Sequence, residues 1–127
     1  GTILIVEDTV EVGDVTASLV EQLGYQTLRA ENATDALYTL RQGKKVDLVL
    51  SDIVMPGAMN GIALAQEIDN HYPQIPVLLT TAYSDVVQTA ESRFAILRKP
   101  FQLAALEKSL REALERGGGE RSAQGVP

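Results

Sequence analysis

The stretch from Val46 to Pro56 constrains the fold more than any other part of the chain. Val46, Leu48, Val49 and Leu50 make a nearly unbroken apolar run, as a strand covered on both faces needs. The run ends in a carboxylate, Asp52, and then in Met55-Pro56-Gly57, which cannot continue a strand. A charge parked where a buried strand stops lies on the carboxyl edge of a sheet, and open α/β sheets bind ligands at that edge. Asp is also a common turn residue, so this stretch alone supports a structural reading of Asp52 equally well.

Similar runs recur along the chain. Thr2–Val6 is short, apolar and rich in β-branched residues, and it too ends in acid, Glu7-Asp8. Val12, Val15, Leu19 and Leu23 then follow at helical spacing, and Gly24 supplies a stop. Tyr25–Ala30 carries Gln26 and Arg29 among apolar residues and reads as a strand near an edge. Asn32 or Thr34 can cap a helix that buries Ala33, Ala36, Leu37 and Leu40 and ends near Gly43. Beyond the loop at Gly57–Asn60, a helix is predicted from Gly61 to about His71. A strand follows over Ile75–Thr80, then a weak helix over Ser84–Ser92 and a strand over Phe94–Leu97. The final helix runs from Gln102 to Glu115, with Leu103, Leu106, Leu110 and Leu114 on one face. Residues 117–127, starting with three glycines, are expected to form a flexible tail outside a domain spanning 1–116.

Five successive βα units imply a parallel sheet with right-handed crossovers and helices on both faces. Five strands fit the flavodoxin-like, doubly wound order 2-1-3-4-5. In that order the first and third strands are neighbours at the topological switch point, so Glu7, Asp8 and Asp52 share one rim. Thr80, Thr81 and Lys99 end neighbouring strands on the same rim.

Composition removes several functions. The net charge of -6, from 11 Lys and Arg against 17 Asp and Glu, argues against binding a nucleic-acid backbone. No apolar run approaches the roughly 20 residues of a membrane span, and no basic stretch precedes the first apolar segment as in a signal peptide. The domain is therefore expected in the cytoplasm, away from membrane and nucleic acid. There is no Cys, hence no disulfide or thiolate chemistry, and one His, His71, cannot make a His-rich metal site.

Crowded carboxylates need an explanation. Two unit charges about 4 Å apart cost about 4 kcal/mol at an effective dielectric near 20. Lys99 offsets one charge and leaves a deficit that suits a hard divalent ion with oxygen ligands, of which Mg²⁺ is the natural choice. Mg²⁺ bound this way usually works beside a phosphoryl group.

On these residues the chain resembles the receiver domain of bacterial two-component response regulators, over roughly residues 2 to 115. The resemblance lies in Glu7-Asp8 after the first strand, Asp52 with Met55-Pro56 after the third, Thr81-Ala82 after the fourth and Lys99-Pro100 after the fifth. It implies that Asp52 accepts a phosphoryl group from a phosphohistidine. Asp8, Asp52 and the backbone carbonyl of Val54 would ligate Mg²⁺, with Glu7 acting mainly through water. Lys99 would pair with Asp52 and the phosphoryl oxygens, Thr81 would hydrogen-bond the phosphoryl group, and Ala82 would leave it room. Such a domain is mainly a switch, although it catalyses its own phosphorylation and dephosphorylation. Its partner would be a histidine kinase or a histidine phosphotransfer domain. Val54 and Tyr83 hold the positions that the resemblance links to the lifetime of the acyl phosphate. Lys99-Pro100 is a candidate cis peptide.

Two features depart from the family's commonest pattern. Ile96 stands where an aromatic switch residue is usual, with Phe94 nearby, and the loop Gly57–Gly61 is one residue longer. That loop, with Thr80–Ser84 and Leu97–Phe101, most resembles receiver modules of hybrid sensor histidine kinases. A degenerate receiver, binding partners without phosphorylation, is the alternative; it would normally have lost an acid, the Thr or the Lys. With Val12, Val15, Leu19 and Leu23 taken as core, the outward stripe of the first helix is Val10, Gly13, Asp14 and Ala17, and this stripe is the expected docking surface for the donor.

Overall fold

The structure, a computed structural model, describes residues 1–57, 59–82 and 94–125, with the backbone path alone for 117–125. Five strands form one sheet: β1 (Thr2–Val6), β2 (Gln26–Ala30), β3 (Leu48–Asp52), β4 (Val77–Thr81) and β5 (Ala95–Arg98). Every pairing is parallel, and the order is β2-β1-β3-β4-β5, as the repeated βα units predict. Four described helices accompany it: α1 (Val10–Gln22), α2 (Ala33–Arg41), α3 (Gly61–His71) and α4 (Leu103–Gly125). The weak helix predicted over Ser84–Ser92 lies outside the described residues.

The alternation of side chains along each strand explains the unbroken apolar runs. Leu4, Val6, Val49 and Leu79 join a core with Ala36, Leu40, Leu64 and Ile68 of α2 and α3. Their neighbours Ile3, Ile5, Leu48, Leu50 and Leu78 join a second core with Val20 of α1 and Leu106, Leu110 and Ala113 of α4. Both faces of β1 and β3 are thus covered, so a polar residue inside either strand needs a hydrogen-bond partner there, as Ser51 has. The two edge strands, β2 and β5, are the less buried ones.

Helix ends follow local chemistry. Asn32 caps α2 by accepting from the Asp35 N–H at 2.8 Å, and Asn60 caps α3 by accepting from the Ala63 N–H at 2.8 Å. Gly24 and Gly43 leave α1 and α2 with φ of 98° and 78°, a conformation that costs glycine least. The last helix is longer than expected. Along the backbone path, α4 continues through residues 117–125. Each glycine costs about 1 kcal/mol relative to Ala, but extending a helix that Leu106 and Leu110 already anchor adds one hydrogen bond per residue with no new nucleation.

The phase of α1 also differs from the sequence reading. Its buried residues are Gly13, Thr16, Ala17 and Val20, whereas Val12 and Val15 are exposed. Gly13 and Ala17 therefore face inward and leave the outward stripe; of the expected docking residues only Val10 and Asp14 are exposed. A tertiary contact accompanies this phase. The guanidinium of Arg29, from β2, lies so close over Gly13 that a Cβ there would collide with it. From that position Arg29 donates to Asp14 Oδ1 at 2.9 Å and to the Val10 carbonyl at 3.3 Å. Small residues bring the helix close to the sheet, and the larger valines are left outside.

Candidate functional site

Parallel register brings the acids together. Val6 pairs with Ser51 across β1 and β3, so the next residues, Glu7 and Asp52, leave the sheet side by side. Asp52 pairs with Thr80 of β4, and Thr81 pairs with Arg98 of β5, which sets Lys99 on the same rim. Glu7, Asp8 and Asp52 can each offer a carboxylate oxygen such that all three lie within 4.8 Å of one another. Lys99 Nζ reaches in from the other side, 3.1 Å from Glu7 Oε1 and 3.5 Å from Asp52 Oδ2.

The lysine is shared rather than given to Asp52 alone, and it sits nearer Glu7. Burial accounts for this: Glu7 is nearly inaccessible, and a buried carboxylate must be answered by a cation and hydrogen bonds. Its second oxygen accepts from the Thr9 N–H at 3.2 Å. Asp52 is left under-compensated. Burial pushes its carboxyl above the ordinary range; Lys99 pulls it back, and the charges of Glu7 and Asp8 push it up further. Lys99 pairs with Glu7 and Asp52, and Asp8 adds a third carboxylate, so the donor set fits an added hard cation.

The remaining predicted residues fall around this cluster. Thr81 is buried at the end of β4, and its carbonyl accepts from the Lys99 N–H at 2.7 Å. Ala82 follows it and is exposed. Val54 lies just past β3 with its side chain exposed. Lys99-Pro100 is cis. Thr80, Thr16 and Phe101 line a small cavity together with Glu7, Asp52 and Lys99. Thr16 and Phe101 escaped the sequence reading, Thr16 because the helix phase was misjudged and Phe101 because it follows the strand end that drew attention.

The sequence model of the response regulator receiver domain matches residues 3–111. The chain belongs to that family. The receiver is 34% identical over 122 residues to the sensor kinase CckA of Brucella abortus, covering 91% of this chain and 13% of that protein. It is 38% identical over 116 residues to the transcriptional regulatory protein ZraR of Klebsiella oxytoca, covering 88% of this chain and 26% of that one. Among solved structures, the signal receiver domain of a signal transduction histidine kinase from Syntrophus aciditrophicus superposes with a TM-score of 0.81 at 32% identity, covering 91% of this chain and 90% of that one. The receiver thus spans about a quarter or less of the length of these two curated relatives. Among its described residues no helix is long and apolar enough to cross a membrane.

One further surface of the receiver adjoins the acids. Val12, Val15 and Leu19 of α1 face Pro100 and Phe101 across an open, mostly apolar cleft of about 530 Å³ that Lys99 also lines.

Proposed function

We propose that this receiver is a phosphoacceptor in a two-component phosphorelay, taking a phosphoryl group from a phosphohistidine onto Asp52. The observation that carries the reading is the company Asp52 keeps: two further carboxylates within 4.8 Å and a lysine that it must share. In the transfer, a carboxylate oxygen of Asp52 bonds to phosphorus while the phosphorus–nitrogen bond breaks, and its electron pair leaves on the imidazole. Phosphoryl transfer asks mainly for alignment and charge neutralisation. Asp8, Asp52 and the Val54 carbonyl would hold Mg²⁺, with Glu7 acting through water; the ion neutralises charge on the transferred group. Lys99 then pairs with a phosphoryl oxygen, the Thr81 hydroxyl donates to another, and Ala82 leaves the group room.

The donor is a histidine kinase or a histidine phosphotransfer domain, and the receiver works in the cytoplasm as one module of a longer signalling protein such as a sensor kinase. The helix bearing the donor histidine docks where Val12, Val15 and Leu19 meet Pro100 and Phe101. This replaces the stripe through Val10, Gly13, Asp14 and Ala17, and it reaches Lys99. Val54, exposed and apolar, offers no group to orient an attacking water, so the acyl phosphate is long-lived. Tyr83, the companion position, lies outside the described residues.

Intact-mass measurement after incubation with Mg²⁺ and phosphoramidate tests the core of this reading. One added phosphoryl group is expected, and none in Asp52→Asn. An unchanged wild-type mass across good small donors, or undiminished labelling of the variant, refutes it.

A further inference from the structure

The reactivity of Asp52 depends on where its main chain is held, and the structure shows what holds it. The strand ladder secures one side: the Ile53 N–H donates to the Thr80 carbonyl at 2.9 Å. Past that point the chain leaves the sheet, Met55 packs into the core, and Gly61, the first residue of α3, returns to the same peptide. The Gly61 N–H donates to the Ile53 carbonyl at 2.8 Å. A Cβ on Gly61 would collide with the Asp52 carbonyl oxygen and come within 2.8 Å of Ile53 Cα and 2.9 Å of the Asp52 carbonyl carbon. These are all main-chain atoms, which cannot rotate aside as the end of a side chain can. Retreat of the helix is opposed as well, because Leu64, Ala65 and Ile68 are fully buried beneath it.

A second group touches the same carbonyl. The Ser51 hydroxyl, fully buried, donates to the Asp52 carbonyl oxygen at 3.0 Å. A glycine with no room for a methyl lies on one side of this peptide and a buried hydroxyl bonds it on the other.

We infer that Gly61 and Ser51 are positioning residues that clamp the Asp52 peptide between the start of α3 and the end of β3, and so aim its carboxylate at the incoming phosphorus. The inference rests on the reading of Asp52 as the phosphoacceptor. A displacement of about 1 Å in reacting groups costs about 100-fold in rate, so even a partial shift of this peptide shows in the transfer step.

The test compares Gly61→Ala, Ser51→Ala and wild type with Ile68→Val, a packing defect on the same helix away from the clamp. All four are labelled with phosphoramidate and Mg²⁺ at a temperature where each is folded, and rates are read by intact mass. The amide resonances of Asp52 and Ile53 are followed in the metal-free proteins. Gly61→Ala is expected to label about tenfold more slowly or worse, with both amides displaced. Ile68→Val stays within about twofold of wild type and leaves both amides in place, even where its melting temperature falls further. Ser51→Ala, which adds no bulk, slows labelling by roughly two- to fivefold and carries the test if Gly61→Ala does not fold. Wild-type rates in both clamp variants overturn the inference, as does equal slowing in Ile68→Val. An unlabelled wild type overturns the phosphoacceptor reading instead, and the inference falls with it.

Discussion

Two aspartates bound β3, and they live differently. Asp47, just before the strand, is closed off by backbone: its carboxylate accepts from the Thr2 N–H at 2.7 Å, and its own N–H donates to the Thr2 carbonyl at 2.8 Å. Asp52, at the other end, meets two more carboxylates and has only part of a lysine. The same side chain is a structural clip at one rim of the sheet and, at the other, the proposed phosphoacceptor. What decides is whether the charge is answered locally by a peptide dipole or left to compete with like charges in a half-buried place.

The strongest way to break this comparison is to remove each acid in turn. Asp52→Asn is expected to abolish phosphoryl labelling. Asp47→Ala should label at the wild-type rate while losing about 1.5–3 kcal/mol, as for a hydrogen bond to a charged group. Denaturant melts and intact mass read the two effects, and loss of labelling in folded Asp47→Ala would erase the distinction.

The packing between β2 and α1, which carries the rim acids on its leading loop, is tested next. Gly13→Ala should cost up to about 1 kcal/mol, because the Arg29 guanidinium must move off Asp14 and the Val10 carbonyl to make room. Much of that loss should disappear when Arg29→Ala is added, a coupling that a double-mutant cycle measures. Additive losses would show that Arg29 does not dictate the phase of the helix.

The proposed docking cleft adjoins the crowded rim, where Lys99 lines both. Val15→Arg should slow transfer from a helical phosphohistidine donor by about tenfold, the effect of one interface side chain worth 1.4 kcal/mol, and leave phosphoramidate labelling unchanged. Equal slowing with both donors would move the damage from the interface to the chemistry.

The effects that remain concern charge at the rim in the unmodified protein. Mg²⁺ at ten times its dissociation constant should add about 1.4 kcal/mol of stability, and Asp8→Asn should blunt this. Without metal, pH reads out the burial of Asp52. Burial, the largest influence, raises the Asp52 carboxyl in the folded state, so the folded chain holds that proton more tightly than the unfolded chain does. Ionisation therefore costs stability, and the cost grows as pH rises from the ordinary carboxylate range through the raised value. Asp52→Asn should melt a few degrees higher than wild type at neutral pH, and the gain should vanish on acidification into that range. A gain independent of pH would place its origin outside this ionisation.

Much of the molecule was legible beforehand because its signals are local. Unbroken apolar runs gave β1 to its residue limits, since only a strand covered on both faces tolerates such a run. The start of α3 at Gly61 was legible, and so was a cap for α2 at Asn32 or Thr34, of which Asn32 is the one used, because helix ends are a matter of a few consecutive residues; the Asn60 cap of α3 was not read. The strand order followed from the βα repeat, and with it the meeting of Glu7, Asp8 and Asp52. The face of α1 was misread for a corresponding reason. Hydrophobic spacing favoured the larger valines, whereas the buried face is lined by Gly13 and Ala17.

The amino-acid sequence by itself determined the alternation of elements, the doubly wound sheet and the identity of the rim acids, because each depends on period, caps and chain order. Tertiary structure alone decided how Lys99 divides itself between Glu7 and Asp52, which side of α1 is open to a partner, and why Gly61 must lack a side chain. Those outcomes rest on atoms from distant segments competing for one space or one charge, and no spacing along the chain encodes the distance between them.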